Sequence, residues 1–168
     1  MSVTRRPVEA GDRDFLFKLY ASVRAAEMAM VPWTPEQKRM FVEMQFEGQC
    51  RGYAETYPHA FHEIILRDGV AAGRIYWSRE PARLHILDIT IAPEQRNAKI
   101  GSNVLEEIVA EADRDGKRVS IYVETFNPSQ TLFKRLGFGP VSVDGFLQLF
   151  ERPARNGEGP NRSSEHRS

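Results

Sequence analysis

The residues with the clearest chemical meaning lie where a strand pattern meets a helix pattern. The apolar, partly β-branched run from Leu87 to Ile91 leads through Ala92-Pro93-Glu94-Gln95 into Arg96-Asn97-Ala98-Lys99-Ile100-Gly101-Ser102. A helical periodicity begins inside that last stretch. The first turn of a helix carries N–H groups with no intrahelical partner and the positive end of the helix dipole. Small residues there let an anion approach closely, so the chemistry such a turn offers is the binding of phosphate or pyrophosphate. By itself the segment also fits an ordinary strand-to-helix connection. A second group of residues stands downstream at Asn127-Pro128, Leu132-Phe133 and Leu136-Gly137-Phe138, where a short helix should end on a left-handed glycine followed by a core aromatic.

The composition sets bounds on what that chemistry can serve. A length of 168 residues suits one domain with a substantial core. No apolar run approaches the roughly 20 residues of a membrane helix, and Met1 to Glu9 is not followed by the apolar stretch of a secretory signal. A cytoplasmic location without membrane attachment is therefore expected. Lys plus Arg balance Asp plus Glu at 23 each, which removes the broad positive field that nucleic-acid binding draws on. Any anion site must be local. The single cysteine, Cys50, has no partner for an internal disulfide and no Cys/His cluster for a metal, and reads as a small buried hydrophobe.

The elements that would hold the turn can be followed along the chain. Ser2 to Val8 is a short strand-like segment. A first helix starts at Asp12, with Phe15, Leu19, Val23 and Ala26 on one face. Thr34, Pro35 and Gln37 form a capping box with proline at the first helical position, opening a second helix expected to break near Gly48 or Gly52. Ala60 to Leu66 and Val70 to Trp77 flank Asp68-Gly69 and read as a two-residue hairpin. Arg83 to Ile91 should be the next strand. Ile100, Val104, Ile108 and Ala112 recur every four residues up to Asp115-Gly116, a helix with a glycine stop. A strand at Val119 to Val123, a short helix at Ser129 to Leu136, and strands at Val141 to Val143 and Phe146 to Phe150 complete the domain through residue 152. Arg152 to Ser168 is polar, rich in Gly, Pro and Ser, and reads as a disordered tail. The fold class is α+β around a mixed sheet.

The two motifs together carry a resemblance. Arg96 to Gly101 resembles the pyrophosphate loop of the GNAT acyltransferase superfamily, whose pattern is [Q/R]xxGx[G/A] after a strand. Asn127 to Phe138 resembles the family's NPxxxLYxxLGF segment, in the expected order. The resemblance implies a three-layer α/β/α fold whose six to seven strands splay at the centre, and acetyl-CoA as acyl donor. Ile89 and Ile91 would then pair with the pantetheine amides. Asn97, Ala98, Lys99, Ile100, Gly101 and Ser102 would hold the diphosphate with Arg96, and Asn127 and Phe133 would line the far wall. Two positions depart from the pattern. Lys99 replaces the first loop glycine and is accommodated if its φ is negative and its ammonium points outward. Phe133 replaces a tyrosine that often protonates the leaving thiolate, so water, another residue or the amine's own proton must serve, or the domain binds CoA without turnover.

The same resemblance calls for a group near the splayed strands that takes the proton of the attacking amine. His85, Asp88 and Glu124 are the candidates, with no reason in the sequence to choose among them. The acceptor wall would come from the first two helices. Gln45, Gln49 and Tyr53 follow Phe41 at intervals of four and share a helical face, while Arg24 and Glu27 stand three apart and can pair. Glu27, Gln45, Gln49 and Tyr53 are therefore the candidate contacts to a small-molecule or peptide amine, with His59 or His62 as a further member of that wall. Transfer would go by direct attack in a ternary complex. The hairpin from Val141 to Phe150 either pairs with a second copy in a homodimer or is covered locally.

Overall fold

The computed structural model describes residues 1–96, 99–124, 130–145 and 147–155. Seven strands form one mixed sheet in the order β1-β2-β3-β4-β5-β7-β6. They are β1 (Val3–Pro7), β2 (Phe61–Arg67), β3 (Val70–Arg79), β4 (Arg83–Ile91), β5 (Arg118–Glu124), β6 (Gly139–Asp144) and β7 (Leu147–Arg152). The helices are α1 (Arg13–Ala29), α2 (Pro35–Thr56), α3 (Ile100–Asp115) and α4 (Gln130–Arg135). The chain divides into two compact units, Met1–Ile75 with Ile89–Ile100, and Tyr76–Asp88 with Gly101–Ser168. No helix among the described residues is long and apolar enough to cross a membrane.

In the first unit β1 runs antiparallel to β2, with Val3 opposite Arg67 and Pro7 opposite Glu63. The β2–β3 turn is the one read from the sequence. Asp68 and Gly69 have φ of 50° and 84°, the pair of left-handed residues a tight two-residue hairpin requires. The core gathers Leu16, Tyr20, Val42, Phe46 and Ile64, with the Phe46 ring 5.7 Å from Phe17 and 5.5 Å from Tyr20. Two expectations need correction here. The buried face of α1 is Leu16, Leu19 and Tyr20, with the Tyr20 ring against Phe46, whereas Val23 is 42% exposed. Helix α2 also runs unbroken through Gly48 and Gly52. Each glycine weakens helix propensity by about 1 kcal/mol. The anchors Val42 and Phe46 and the Thr34–Gln37 capping box hold the helix against that loss.

A bidentate ion pair from Arg6 to Asp12, at 2.8 and 2.9 Å, closes the 3-10 turn Ala10–Asp12 that leads into α1. Hydrogen bonds from Arg6 and from the Glu9 backbone push the Asp12 carboxyl down to about 2. The pair therefore persists until the pH falls well below 3.8.

In the second unit β4 and β5 are parallel, with Arg83–Ile86 in register with Arg118–Ile121. Helix α3 supplies the crossover that a parallel pair needs. Its periodic residues are buried as expected, Val104, Ile108 and Ala112 being fully enclosed. β7 pairs antiparallel with β5, from Val119–Arg152 to Glu124–Leu147, and β6 adds outside it. The polar reading of residue 152 is corrected. Arg152 closes β7 at 4% exposure, with Nη1 2.7 Å from Asp113 Oδ1 and Nε donating to the Leu136 carbonyl at 3.0 Å. A guanidinium this deep is held only because both a carboxylate and a backbone oxygen meet it. The rest of the expected tail, from residue 156 onward, lies outside the described residues, as does Phe146.

Candidate active site

The turn singled out in the sequence is built by hydrogen bonds at the end of β4. Ala92 N–H donates to the Ala72 carbonyl at 2.8 Å, pinning the strand end to β3. Pro93–Gln95 then forms a 3-10 turn, with Gln95 N–H on the Ala92 carbonyl at 2.9 Å. The Arg96 side chain folds back so that Nε donates to the Ile91 carbonyl at 3.2 Å. From β2, Arg67 Nη1 reaches Gln95 Oε1 at 3.2 Å and fixes the turn from the other side. Ile89 and Ile91 are half-buried in β4, and Ile100 is buried at the start of α3. Gly101 and Ser102 lie half-buried in the first turn of that 16-residue helix. Asn97 and Ala98 lie outside the described residues.

Two backbone features stand at the ends of this segment. A β-carbon on Gly73 would overlap the Thr90 carbonyl oxygen and come within 3.1 Å of Ile91 Cα. β3 therefore lies so close beneath the end of β4 that only glycine fits. A glycine inside a strand run is the sequence signal for such a close approach. Lys99 has φ of 61°, which corrects the expectation of a negative value. Its exposed side chain reaches the surface as anticipated, but the backbone takes the left-handed conformation for which the family pattern reserves a glycine. Replacing Lys99 with Gly is expected to raise stability by about 1 kcal/mol by removing that strain. Denaturant unfolding of the two proteins checks it, and an unchanged midpoint would mean the Lys99 conformation carries no cost.

The three candidate bases occupy different settings. His85 is 1% exposed in β4, with Nδ1 2.7 Å from Ser120 Oγ and its ring edge-on to Tyr122 at 5.6 Å. Ser120 Oγ also accepts from Arg83 Nη1 at 3.0 Å, and Arg83 Nε donates to Glu80 at 2.7 Å. Burial, followed by the Arg83 charge, pushes the imidazole down to about 4, so it is neutral at pH 7. Asp88, three residues along the same strand, is half-buried and projects from the opposite face, since strand side chains alternate. Glu124 ends β5 opposite Leu147; its side chain lies outside the described residues, as does Asn127. Phe133 is 4% exposed, its ring packed against Phe138 at 6.1 Å and Phe150 at 6.3 Å.

Of the acceptor candidates, Gln45, Gln49 and Tyr53 are all half-buried along one face of α2. Gln49 Oε1 accepts from Arg74 Nη2 at 2.7 Å, and Arg74 Nη1 lies 3.3 Å from His62 Nε2. Arg74 itself is 3% exposed, and sequence reasoning passed over it as one polar residue in a β-rich run. Glu27 is exposed and pairs with Arg24 at 3.7 Å, the i,i+3 contact expected, while Arg24 lies over the Tyr20 ring. In the same unit a cleft of about 560 Å³ opens over Val8, Leu16 and Phe46, rimmed by Glu9, Glu47 and Arg51. Glu27, Gln45, Gln49 and Tyr53 do not line it, whereas His62 does. Cys50, half-buried, does, so it is less enclosed than its type suggested. Among the described residues no cluster of His, Cys, Asp or Glu could hold a metal.

The described residues form an α+β fold with a parallel strand pair, β4 and β5, bridged by α3. A profile of the acetyltransferase (GNAT) family matches residues 18–138, and the chain belongs to that family. The fold is similar to that of PaiA N-acetyltransferase from Thermoplasma acidophilum, solved in complex with coenzyme A. That similarity has a TM-score of 0.69 at 17% identity, covering 91% of this chain and 99% of that one. An acetyltransferase from Thermus thermophilus matches with a TM-score of 0.64 at 19% identity over 91% and 97% of the two chains. A GNAT-family acetyltransferase from Staphylococcus aureus gives 0.60 at 12% identity over 90% and 98%. No curated protein matched the chain by sequence.

Proposed function

We propose that the protein transfers an acetyl group from acetyl-CoA to a primary amine of a small molecule, amino-acid derivative or peptide, by direct attack in a ternary complex. The observation that carries this reading is the glycine-supported strand end at Thr90–Ile91 running into the 3-10 turn Pro93–Gln95, with α3 beginning at Ile100. The strand backbone of Ile89 to Ile91 would bond the pantetheine amides, and the amides from Lys99 to Ser102 the diphosphate. With the thioester so placed, the amine nitrogen adds to the carbonyl carbon, a C–N bond forms, and the C–S bond breaks to release CoA thiolate. One amine proton must leave and one proton must reach the thiolate.

Asp88 and Glu124 are the groups suited to take the first proton directly or through water. His85 is neutral and could accept one, but its burial and its bond to Ser120 suit it to holding β4 and β5 together. Phe133 has no proton to give, so the thiolate takes its proton from water or from the amine itself. The same residue favours a second reading, a CoA-binding domain without turnover. Calorimetric titration with acetyl-CoA tests the binding half: a folded protein that releases no heat at millimolar ligand would end both readings. Thiol release across a panel of primary amines separates them, because a silent domain binds acetyl-CoA and releases nothing.

A further inference from the structure

The cleft of the first unit stands apart from the proposed donor turn. Arg67, at the end of β2, bonds Gln95 in that turn. His62, which lines the cleft, comes five residues earlier on the same extended strand, about 17 Å away. Val8 N–H on the His62 carbonyl at 2.9 Å fixes the β1 side of the cleft at that far end. Its volume of about 560 Å³ falls within the range of small-ligand pockets, about 300–1,000 Å³. Val8, Leu16 and Phe46 give it an apolar surface, and charged side chains stand around them. Arg13 Nη2 meets Glu47 Oε2 at 2.7 Å with its guanidinium 5.3 Å from the Phe46 ring centroid, so this pair is neutral. Glu9 stands in the field of Arg6, whose pKa is raised by the hydrogen bond to Asp12 and in smaller part by the Glu9 charge. His62 Nε2 faces Arg74 Nη1 at 3.3 Å. Arg51 is exposed and, among the described residues, makes no hydrogen bond or ion pair.

We propose that this cleft binds a small carboxylic acid with an apolar body, a ligand distinct from both the donor and the acceptor of acyl transfer. The apolar body lies against Val8, Leu16 and Phe46 and removes their exposed surface from water. The carboxylate takes the guanidinium of Arg51, whose planar fork of donors matches two carboxylate oxygens. A neutral ligand would leave that guanidinium unanswered, and a cationic one would be repelled by it. Such an acid carries no nucleophilic nitrogen, so it is held without being acylated, and the assignment stands whether or not the protein turns over an amine. Cys50, the single cysteine of the 168-residue chain, lines the same cleft and serves as its reporter.

4-Phenylbutyrate, 4-phenylbutanol and 4-phenylbutylamine share one apolar body and differ in charge, and they test the assignment on the full chain. The acid at about 5 mM is expected to slow alkylation of Cys50 by iodoacetamide at least about threefold, read by intact mass. By calorimetry it should bind at least about fivefold more tightly than the alcohol or the amine. Arg51→Gln, a change at an exposed position, should melt with the wild type, lower the affinity for the acid to that for the alcohol and leave the alcohol unchanged. Arg51→Lys should keep part of the preference for the acid. Acetyl-CoA binding should be the same with and without saturating acid. No protection of Cys50 by the acid would overturn the cleft as a ligand site. Equal affinity for acid and alcohol, tighter binding of the amine, or an undiminished preference in Arg51→Gln would each overturn the carboxylate–Arg51 contact. Competition between the acid and acetyl-CoA would overturn the separation of this site from the donor turn.

Discussion

Gly73→Ala is expected to lower stability by about 1–3 kcal/mol and to weaken acetyl-CoA binding at least tenfold, the second effect exceeding what the first alone would cause. The added methyl group would meet the Thr90 carbonyl oxygen and Ile91, neither of which can swing aside because both are strand backbone. β4 must then shift away from β3 at its end, where Ala92 N–H bonds the Ala72 carbonyl. That is the segment proposed to pair with pantetheine, and a displacement of a few tenths of an ångström misaligns the amides as well as the turn that follows. Urea unfolding measures the first effect and calorimetry on the folded fraction the second. A destabilised protein with wild-type CoA affinity would place the ligand elsewhere. A small effect on both would show that the close approach of β3 is not needed.

The second large effect is on acid stability. Burial holds the His85 imidazole at about 4 in the folded protein, against about 6.5 in the unfolded chain. Between those values the unfolded state binds a proton that the folded state refuses, so stability rises with pH across the window. The contribution is complete above 6.5 and is lost as the pH falls toward 4, amounting to about 3 kcal/mol over the whole window and about 2 kcal/mol between pH 7 and pH 5. Asp12 does not confuse the measurement, since its own loss begins only below 3.8. Denaturant midpoints at pH 7 and pH 5 are expected to differ by that amount in the wild type and by much less in His85→Gln, which keeps a partner for Ser120. Equal pH dependence in the two proteins would assign the acid sensitivity to another group.

These two residues show where sequence reasoning stops. His85 stood out as a candidate base because of its type and its place before the loop. Its burial follows from β5 lying alongside, where Ser120 and Tyr122 meet the ring. Gly73 stood unnoticed in a strand whose pattern was otherwise clear, because the atoms that exclude a side chain belong to a segment 17 residues further along. The side chain of Lys99 suits an exposed position, but the turn's backbone sets its conformation, with a φ of 61°.

What the sequence determined by itself is what short stretches encode. The Asp68-Gly69 hairpin, the Thr34–Gln37 cap, the four-residue period of α3 and the strand-to-helix turn are written in residues a few positions apart, where propensity and backbone geometry suffice. From those the mixed α+β fold and the GNAT family were legible, since the loop and the segment after β5 appear in a fixed order. The tertiary structure decided which face of α1 is buried, that α2 continues past its glycines, that Arg152 belongs to the core, and that Gln45 keeps an unmet oxygen. Each of those depends on the position of a group far away in the chain. The turn proposed for the acyl donor is written in neighbouring residues, whereas the surroundings of the proposed acceptor contacts on α2 depend on β2 and β3 coming beside that helix, as the Arg74–Gln49 bond shows.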